Sequence, residues 1–202
     1  MHSSKNMKKL VIASNNPGKL REFQALLAPL GIEVLTQEQL GISEAEEPHC
    51  TFIENALAKA RHVSKQSGLP ALADDSGICV AALGGAPGVY SARYAGDSPK
   101  SDTRNNEKLL QAMQGVADRR AHYYCVLVLV HRADDPQPLI AEGEWFGEIA
   151  LDERGEGGFG YDPLFWLPQF GKMSAELKPE EKAKISHRAL AMDILLQKLK
   201  LE

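Results

Sequence analysis

Four stretches of the chain combine residue types that can do chemistry. Ser14-Asn15-Asn16-Pro17-Gly18-Lys19 is a polar, glycine-containing turn between an apolar run and a helix-like pattern. Such a turn gathers backbone N–H groups at a helix N-terminus, and Lys19 adds a cation, so the segment reads as a seat for phosphate. It lacks the Gly-x-x-x-x-Gly-Lys-Ser/Thr spacing of a P-loop, and an ordinary turn with Asn and Pro as turn formers stays open. Asp74-Asp75-Ser76-Gly77 sets two adjacent carboxylates after an apolar strand. They are costly to hold near a cleft unless a cation or a proton compensates. Hard oxygens of this kind suit Mg²⁺, which commonly bridges one or two carboxylates to phosphate; the plainer alternative is a solvated turn. Glu46-Glu47 offers a further carboxylate, of interest only because of the acidic pair downstream.

The other two stretches suit a planar ligand. In Gly157-Gly158-Phe159-Gly160-Tyr161-Asp162-Pro163 the glycines allow close approach, Phe159 can stack on a base, and Asp162 can accept from ring N–H groups. Equally, this is a tight turn whose aromatics fill the core. Lys182 and Ser186-His187-Arg188 concentrate donors. On one continuous helix Lys182 and His187 would lie about 140° apart. A break at Ser186, a good N-cap, starts a last helix at His187 and turns His187 and Arg188 into a pocket; the alternative is a basic helix face with a surface histidine. Together the four stretches supply a phosphate seat, metal carboxylates, a stacking ring and hydrogen-bond donors, the set a nucleoside triphosphate requires.

The elements that must position these residues follow from periodicity. Residues 9–13 read as a strand, and Leu20, Phe23, Leu27 and Leu30 as one helix face stopped by Gly31. Residues 32–36 form a second strand. Thr51 and Glu54 make a Thr-x-x-Glu capping box in which each side chain satisfies a backbone N–H, opening a helix with Phe52, Ala56, Ala60 and Val63 as its apolar stripe. A buried strand at 71–73 runs into the acidic pair, 78–83 continues as strand, 84–96 is largely loop, and 103–113 is a helix. Residues 121–132 and 138–151 read as long strands joined too tightly for a parallel crossover. The tail from 179 to 201 is an interrupted helix. This is the pattern of an α/β protein with a mixed, twisted sheet flanked by helices and a cleft between two lobes.

Composition narrows the class. The 202 residues are 44% hydrophobic and 25% charged, with 23 basic and 27 acidic residues for a net charge of −4. That balance fits a soluble globular chain and disfavours coating nucleic acid through the overall field. No apolar run reaches the roughly 18–20 residues of a membrane span, and the first residues lack a secretory pattern. Cys50, Cys79 and Cys125 fit neither a disulfide framework nor a zinc site, so they read as reduced thiols in a cytoplasmic protein. Residues 1–6 read as a disordered extension before a single domain spanning 7–202.

The motifs also carry a resemblance. Ser14-Asn15-Asn16-Pro17-Gly18-Lys19, Thr51-Phe52-Ile53-Glu54-Asn55-Ala56, Ala73-Asp74-Asp75-Ser76-Gly77, Gly84-Gly85-Ala86-Pro87-Gly88-Val89-Tyr90-Ser91-Ala92-Arg93, Gly158-Phe159-Gly160-Tyr161-Asp162-Pro163 and Ile185-Ser186-His187-Arg188 resemble the inosine triphosphate pyrophosphatase family. The likeness is to its bacterial dITP/XTP branch and runs from Met7 to Leu201. One departure is Ser14-Asn15 where many members have Thr-Gly: serine keeps the hydroxyl, whereas Asn15 lacks glycine's freedom. The resemblance implies an elongated fold with a central nucleotide-binding cleft, in a homodimeric, Mg²⁺-dependent enzyme. Its expected reaction cuts non-standard purine nucleoside triphosphates to the monophosphate and pyrophosphate. It further implies that Ser14, Asn15, Asn16, Pro17, Gly18 and Lys19 hold the triphosphate. Asp75 is the metal-linked base, with Glu47 and Asp74 sharing the metal. Ser76, Phe159, Gly160, Tyr161, Asp162, Lys182, His187 and Arg188 contact the nucleotide. The competing expectations are a pyrophosphatase for modified pyrimidine or methylated nucleotides, as in the related septum-formation-inhibitor family, and a non-catalytic nucleotide sensor.

Overall fold

The apolar run Leu10-Val11-Ile12 is fully buried as strand β1 (Lys9–Ile12) in the computed structural model, which describes residues 7–201. The extension expected at 1–6 lies outside the described residues. Strand β1 pairs parallel with β2 (Glu33–Thr36) and with β3 (Ala71–Val80). Parallel neighbours need crossovers. These are helix α1 (Pro17–Leu27), which buries Phe23 and Leu27, and helix α2 (Phe52–Ser67), which buries Ala56, Ala60 and Val63. Gly31, at φ 68, ends the short turn after α1 in the left-handed conformation that glycine adopts freely.

Helix α3 (Asp102–Ala112) precedes the long strands β4 (Arg120–Val130) and β5 (Leu139–Ile149). Two short strands, β6 (Phe165–Leu167) and β7 (Lys172–Met173), follow, and β5–β6 and β6–β7 pair antiparallel. The sheet order is β2-β1-β3-β4-β5-β6-β7, so the fold is α/β with a mixed sheet, as the alternation of patterns implied. Among the described residues no helix is long and apolar enough to cross a membrane.

Two compact units divide the chain. The first comprises the residues up to Asp75, Val126–Glu142, and those from Ala191 on. Its interior is aliphatic, with Leu10, Ile12, Leu27 and Leu72 fully buried beside Phe23. The second comprises Ser76–Cys125 and Gly143–Leu190. Its core is rich in aromatics, with Tyr123, Trp145, Tyr161 and Phe165 packed among Ile78, Leu109 and Leu164.

Several local readings change. The acidic pair does not sit in a turn after a short strand: β3 runs unbroken through Asp74 and Asp75, and Ala81–Leu83 is a 3-10 turn rather than strand. The stretch expected as loop contains a 3-10 segment, Gly88–Arg93. Thr51 caps α2 by accepting from Glu54 N at 3.3 Å, but the Glu54 carboxylate takes the Thr51 hydroxyl at 2.5 Å. The tail breaks as its polar spacing required. Helix α4 (Pro179–Ile185) ends at Ser186, whose backbone is extended, and α5 (His187–Leu201) begins with Ser186 Oγ accepting from Ala189 N at 3.3 Å.

Candidate active site

In the first unit the Ser14–Lys19 turn is built by Asn16. Asn16 is the N-cap of α1, its Oδ1 accepting from Gly18 N at 2.9 Å and Lys19 N at 3.2 Å, with Pro17 opening the helix. A Cβ on Gly18 would lie 3.2 Å from that oxygen, so glycine lets the cap sit close. Leu20 N bonds to Asn16 O at 3.0 Å, and Pro17 has no N–H. The expected row of backbone donors is therefore already satisfied by the chain's own cap. What the turn offers an anion is the helix dipole, the Ser14 hydroxyl and the Lys19 ammonium. Ser14 Oγ also accepts from Asn16 N at 3.1 Å.

Asn15 requires no glycine-like backbone, because among the described residues only glycines have positive φ. Its side chain does something glycine could not. Nδ2 donates to Glu44 Oε1 at 3.0 Å, and Oδ1 accepts from Gln37 Nε2 at 3.1 Å. The turn is thus tied to the end of β2 and to the segment that carries Glu47.

Two lysines organise the carboxylates. Successive strand residues face opposite sides, and Asp74 and Asp75 accordingly meet different partners. Buried Asp74 pairs with Lys19 Nζ at 2.7 Å. Lys59, from α2, lies 2.5 Å from Glu47 Oε1 and 3.8 Å from Asp75 Oδ1. Burial, the largest influence on Lys59, acts to lower its pKa, but the field of Asp74, Asp75 and Glu47 more than offsets it and the pKa is raised. Asp75 is pushed up to about 6, first by burial and then by repulsion from Glu47 and Asp74, against the pull of Lys59 and Lys19. Glu46 is exposed and takes no recorded part.

Lys59 was missed by the sequence reading. It had a signal: on α2 it stands three residues after Ala56 and four before Val63, in the apolar stripe itself. A lysine there needs an acidic partner.

Among the described residues no group of three or more His, Cys, Asp or Glu side chains is arranged to hold a metal ion. Glu47 and Asp75 nevertheless converge on one point, since both approach the same Lys59 ammonium. A pair of hard carboxylates is a donor set that fits Mg²⁺, which keeps several waters and takes the rest of its shell from phosphate. Asp74, expected in the same set, is engaged with Lys19 instead.

The second unit holds the glycine-rich loop. Asp162 is 2% exposed and accepts from Phe159 N and from the Ser174 hydroxyl, each at 2.9 Å, and from Lys182 Nζ. These three contacts, of the roughly four that a carboxylate can accept, give Asp162 a role in fixing the loop. Gly158, at φ +78, passes so close that a Cβ would lie 2.1 Å from Asp162 Oδ2. The loop's two aromatics differ in placement. Tyr161 is buried, its hydroxyl donating to Ser91 O at 2.6 Å, whereas Phe159 is 65% exposed with the Lys182 ammonium 4.8 Å from its ring centroid.

His187 and Arg188 open α5 and are buried, as the break at Ser186 implied. The His187 ring stacks on Tyr123 at 4.8 Å between centroids and 13° between planes. Ser76 is half-buried on β3, next to Asp75.

A model of the Ham1 family matches residues 10–198. The chain is 65% identical over 197 residues to the dITP/XTP pyrophosphatase of Ralstonia nicotianae, covering 96% of this chain and 98% of that one. It is 64% identical over 193 residues to the dITP/XTP pyrophosphatase of Nitrosomonas europaea, covering 96% and 95%. Among solved structures, a HAM1 protein from Coxiella burnetii superposes with a TM-score of 0.94 at 47% identity, covering 97% of this chain and all of that one (100%). The Staphylococcus aureus Ham1 protein gives 0.89 at 42% identity, with 96% and 98% covered.

Proposed function

The chain belongs to the Ham1 family, and from that membership we propose that it hydrolyses non-standard purine nucleoside triphosphates (ITP, dITP and XTP) to the monophosphate and pyrophosphate, removing them from the nucleotide pool. The structural observation that carries the reading is Asp75, a carboxylate held beside Lys59 and pushed up to about 6 by burial and by its acidic neighbours. Without a metal the carboxylate holds its proton more tightly than an ordinary aspartate; a divalent cation beside it would draw it back to the anion that accepts the proton of water.

In this reading water attacks the α-phosphorus and Asp75 takes its proton. Charge grows on the bridging oxygen as pyrophosphate leaves, and Lys19 and Lys59 offset it. The Ser14–Lys19 turn holds the triphosphate through the Ser14 hydroxyl and the Lys19 ammonium, with Asn15 and Asn16 fixing its shape. Glu47 and Asp75 would hold Mg²⁺, which when bound supplies charge neutralisation at the phosphate oxygens and a more acidic water. Asp74 serves by orienting Lys19. Phe159 offers its exposed face to the base, and Ser76, Lys182, His187 and Arg188 supply nucleotide contacts.

Hypoxanthine and xanthine present an oxygen at C6, where adenine presents an amino group. A buried donor meeting another donor costs roughly 1–3 kcal/mol, up to about a hundredfold in rate or affinity. Homodimerisation is part of the same proposal, supported by Tyr90, which is 53% exposed on the Gly88–Arg93 segment. So is a cytoplasmic location, where its substrates arise.

Product identification on a substrate panel with Mg²⁺ is the test. Pyrophosphate is expected from ITP, dITP and XTP, with poor turnover of ATP and GTP. Orthophosphate as the first product, or turnover confined to modified pyrimidines, would overturn the reading.

A further inference from the structure

Helix α3 contains a feature that its own stability does not require. Asn105 and Asn106 lie in its interior and are 2% and 4% exposed, although asparagine is a poor helix former because its side chain competes for backbone bonds. Both side chains reach out of the helix to hold other segments. Asn105 Oδ1 accepts from Ala95 N at 2.7 Å and its Nδ2 donates to Ala92 O at 3.3 Å, fixing the stretch after Gly88–Arg93. Asn106 Nδ2 donates to Gly160 O at 3.1 Å, and Asp102, four residues earlier and so on the same helix face, accepts from Gly160 N at 2.7 Å. Both polar groups of one loop residue are thus gripped by one helix.

The gripped residue is the one that needs it. Gly160 adopts φ +60, a conformation glycine enters and leaves at little cost. Its predecessor Phe159 is 65% exposed, so burial of the ring cannot fix where it stands. The ring is placed through its backbone, on one side by the Asp162 carboxylate at Phe159 N and on the other by the α3 grip on Gly160.

We propose that Asp102 and Asn106 are positioning residues that hold Phe159 in the orientation needed to stack on the purine, so that α3 sets base affinity without touching substrate. The inference rests on the proposed function and deepens it. Misplacement of a positioning surface by about 1 Å can cost up to about a hundredfold, and stacking of one base on an aromatic ring is worth about tenfold or more.

The test is steady-state kinetics with ITP and ATP on wild type, Asp102→Ala, Asp102→Asn and Asn106→Asp, with inorganic triphosphate as a base-free inhibitor. Asp102→Ala is expected to raise KM for ITP about tenfold, to leave kcat within about a factor of two, and to leave the preference for ITP over ATP unchanged. Asp102→Asn, which keeps an oxygen acceptor, restores most of the loss. Inhibition by inorganic triphosphate is unchanged throughout, and adding Phe159→Ala to Asp102→Ala costs less than Phe159→Ala alone. Asn106→Asp replaces the donating amide by a carboxylate oxygen, sets an acceptor against the Gly160 carbonyl and has the larger KM effect; should it fail to fold, the surface-exposed Asp102 pair still decides. The inference is overturned if an active wild type and Asp102→Ala share one KM, if triphosphate inhibition weakens in parallel, if Asp102→Asn is no better than Asp102→Ala, or if Asn105→Ala reproduces the whole effect. Failure of wild type to release pyrophosphate from ITP overturns the parent reading itself and is seen before any variant is made.

Discussion

Two aspartate–lysine pairs, one in each unit, show how the same chemistry is put to different uses. Asp162 with Lys182 is a closed arrangement: the carboxylate is 2% exposed and its oxygens are shared among Phe159 N, the Ser174 hydroxyl and the ammonium. Asp75 with Lys59 is an over-charged one. Its ammonium is contested by Glu47 at 2.5 Å and Asp75 at 3.8 Å, with Asp74 adding to the field. Donors that fill a carboxylate's acceptor sites tie it into the structure, whereas burial among like charges raises the proton affinity of Asp75, as the proposed base role needs. Sequence neighbours alone could not distinguish the two, since each aspartate stands two residues from a glycine, Asp75 before Gly77 and Asp162 after Gly160.

Asp75→Asn therefore has the largest expected effect on turnover, a loss in kcat of at least about 10²-fold, with a native circular dichroism spectrum. Stability should move the other way. An aspartate whose folded pKa is raised from 3.8 to about 6 binds its proton more tightly when folded. Its contribution to stability is full below about pH 4, falls as pH rises from there to about 6, and is absent above. In metal-free buffer Asp75→Asn should thus melt level with wild type near pH 4 and above it near pH 7. Asp162→Ala reverses the sign on stability and has the smaller effect on turnover. Loss of a carboxylate with charge-assisted bonds in the interior should destabilise by about 2–4 kcal/mol, while kcat falls less than in Asp75→Asn. If the two variants lose turnover and stability in the same proportions, the contrast between the pairs is wrong.

Next in size is the effect of Lys59 on the base beside it. Lys59 pulls the Asp75 pKa down, second only to burial among the influences on it. Lys59→Met should move the acid limb of the kcat/KM profile to higher pH, as well as reduce the plateau. A Mg²⁺ titration sharpens the same point: protons compete for the carboxylates that would bind the ion. Affinity measured by calorimetry should fall as pH drops through about 6, and should do so less in a Glu47→Gln, Asp75→Asn double variant, whose residual affinity is weak at every pH.

What could be read from the sequence was whatever local chemistry decides. The break at Ser186 followed from the angular separation of Lys182 and His187 and from serine's capping preference, and the parallel strands followed from apolar runs separated by amphipathic helices. The Asn16 cap and the Thr51 cap were equally local. What escaped was set by distance along the chain. The loop-fixing role of Asp162 was hidden because spacing cannot show that Lys182 and Ser174, remote in sequence, meet its carboxylate. The α3 grip on Gly160 joins residues more than fifty positions apart. Lys59 was legible in principle, as a charge in an apolar stripe, but its partners were not.

The smallest effect is expected at Asn15, and it separates the two properties in which asparagine differs from glycine. Were the turn one that demanded positive φ, Asn15→Gly would relieve strain and stabilise the protein. No non-glycine residue among those described has positive φ, so no strain is there to relieve. What the substitution removes is the bond to Glu44 at 3.0 Å, which is exposed, and the bond from buried Gln37 at 3.1 Å. It also adds chain entropy to the unfolded state. A net loss of about 0.5–1.5 kcal/mol is expected, with KM for the triphosphate rising about two- to threefold as the turn loosens from the segment bearing Glu47. Asn15→Ala should match Asn15→Gly in KM, because both lack the carboxamide. A gain in melting temperature for Asn15→Gly, or a KM effect seen with one substitution and not the other, would place the importance of this position in its backbone rather than in its side chain.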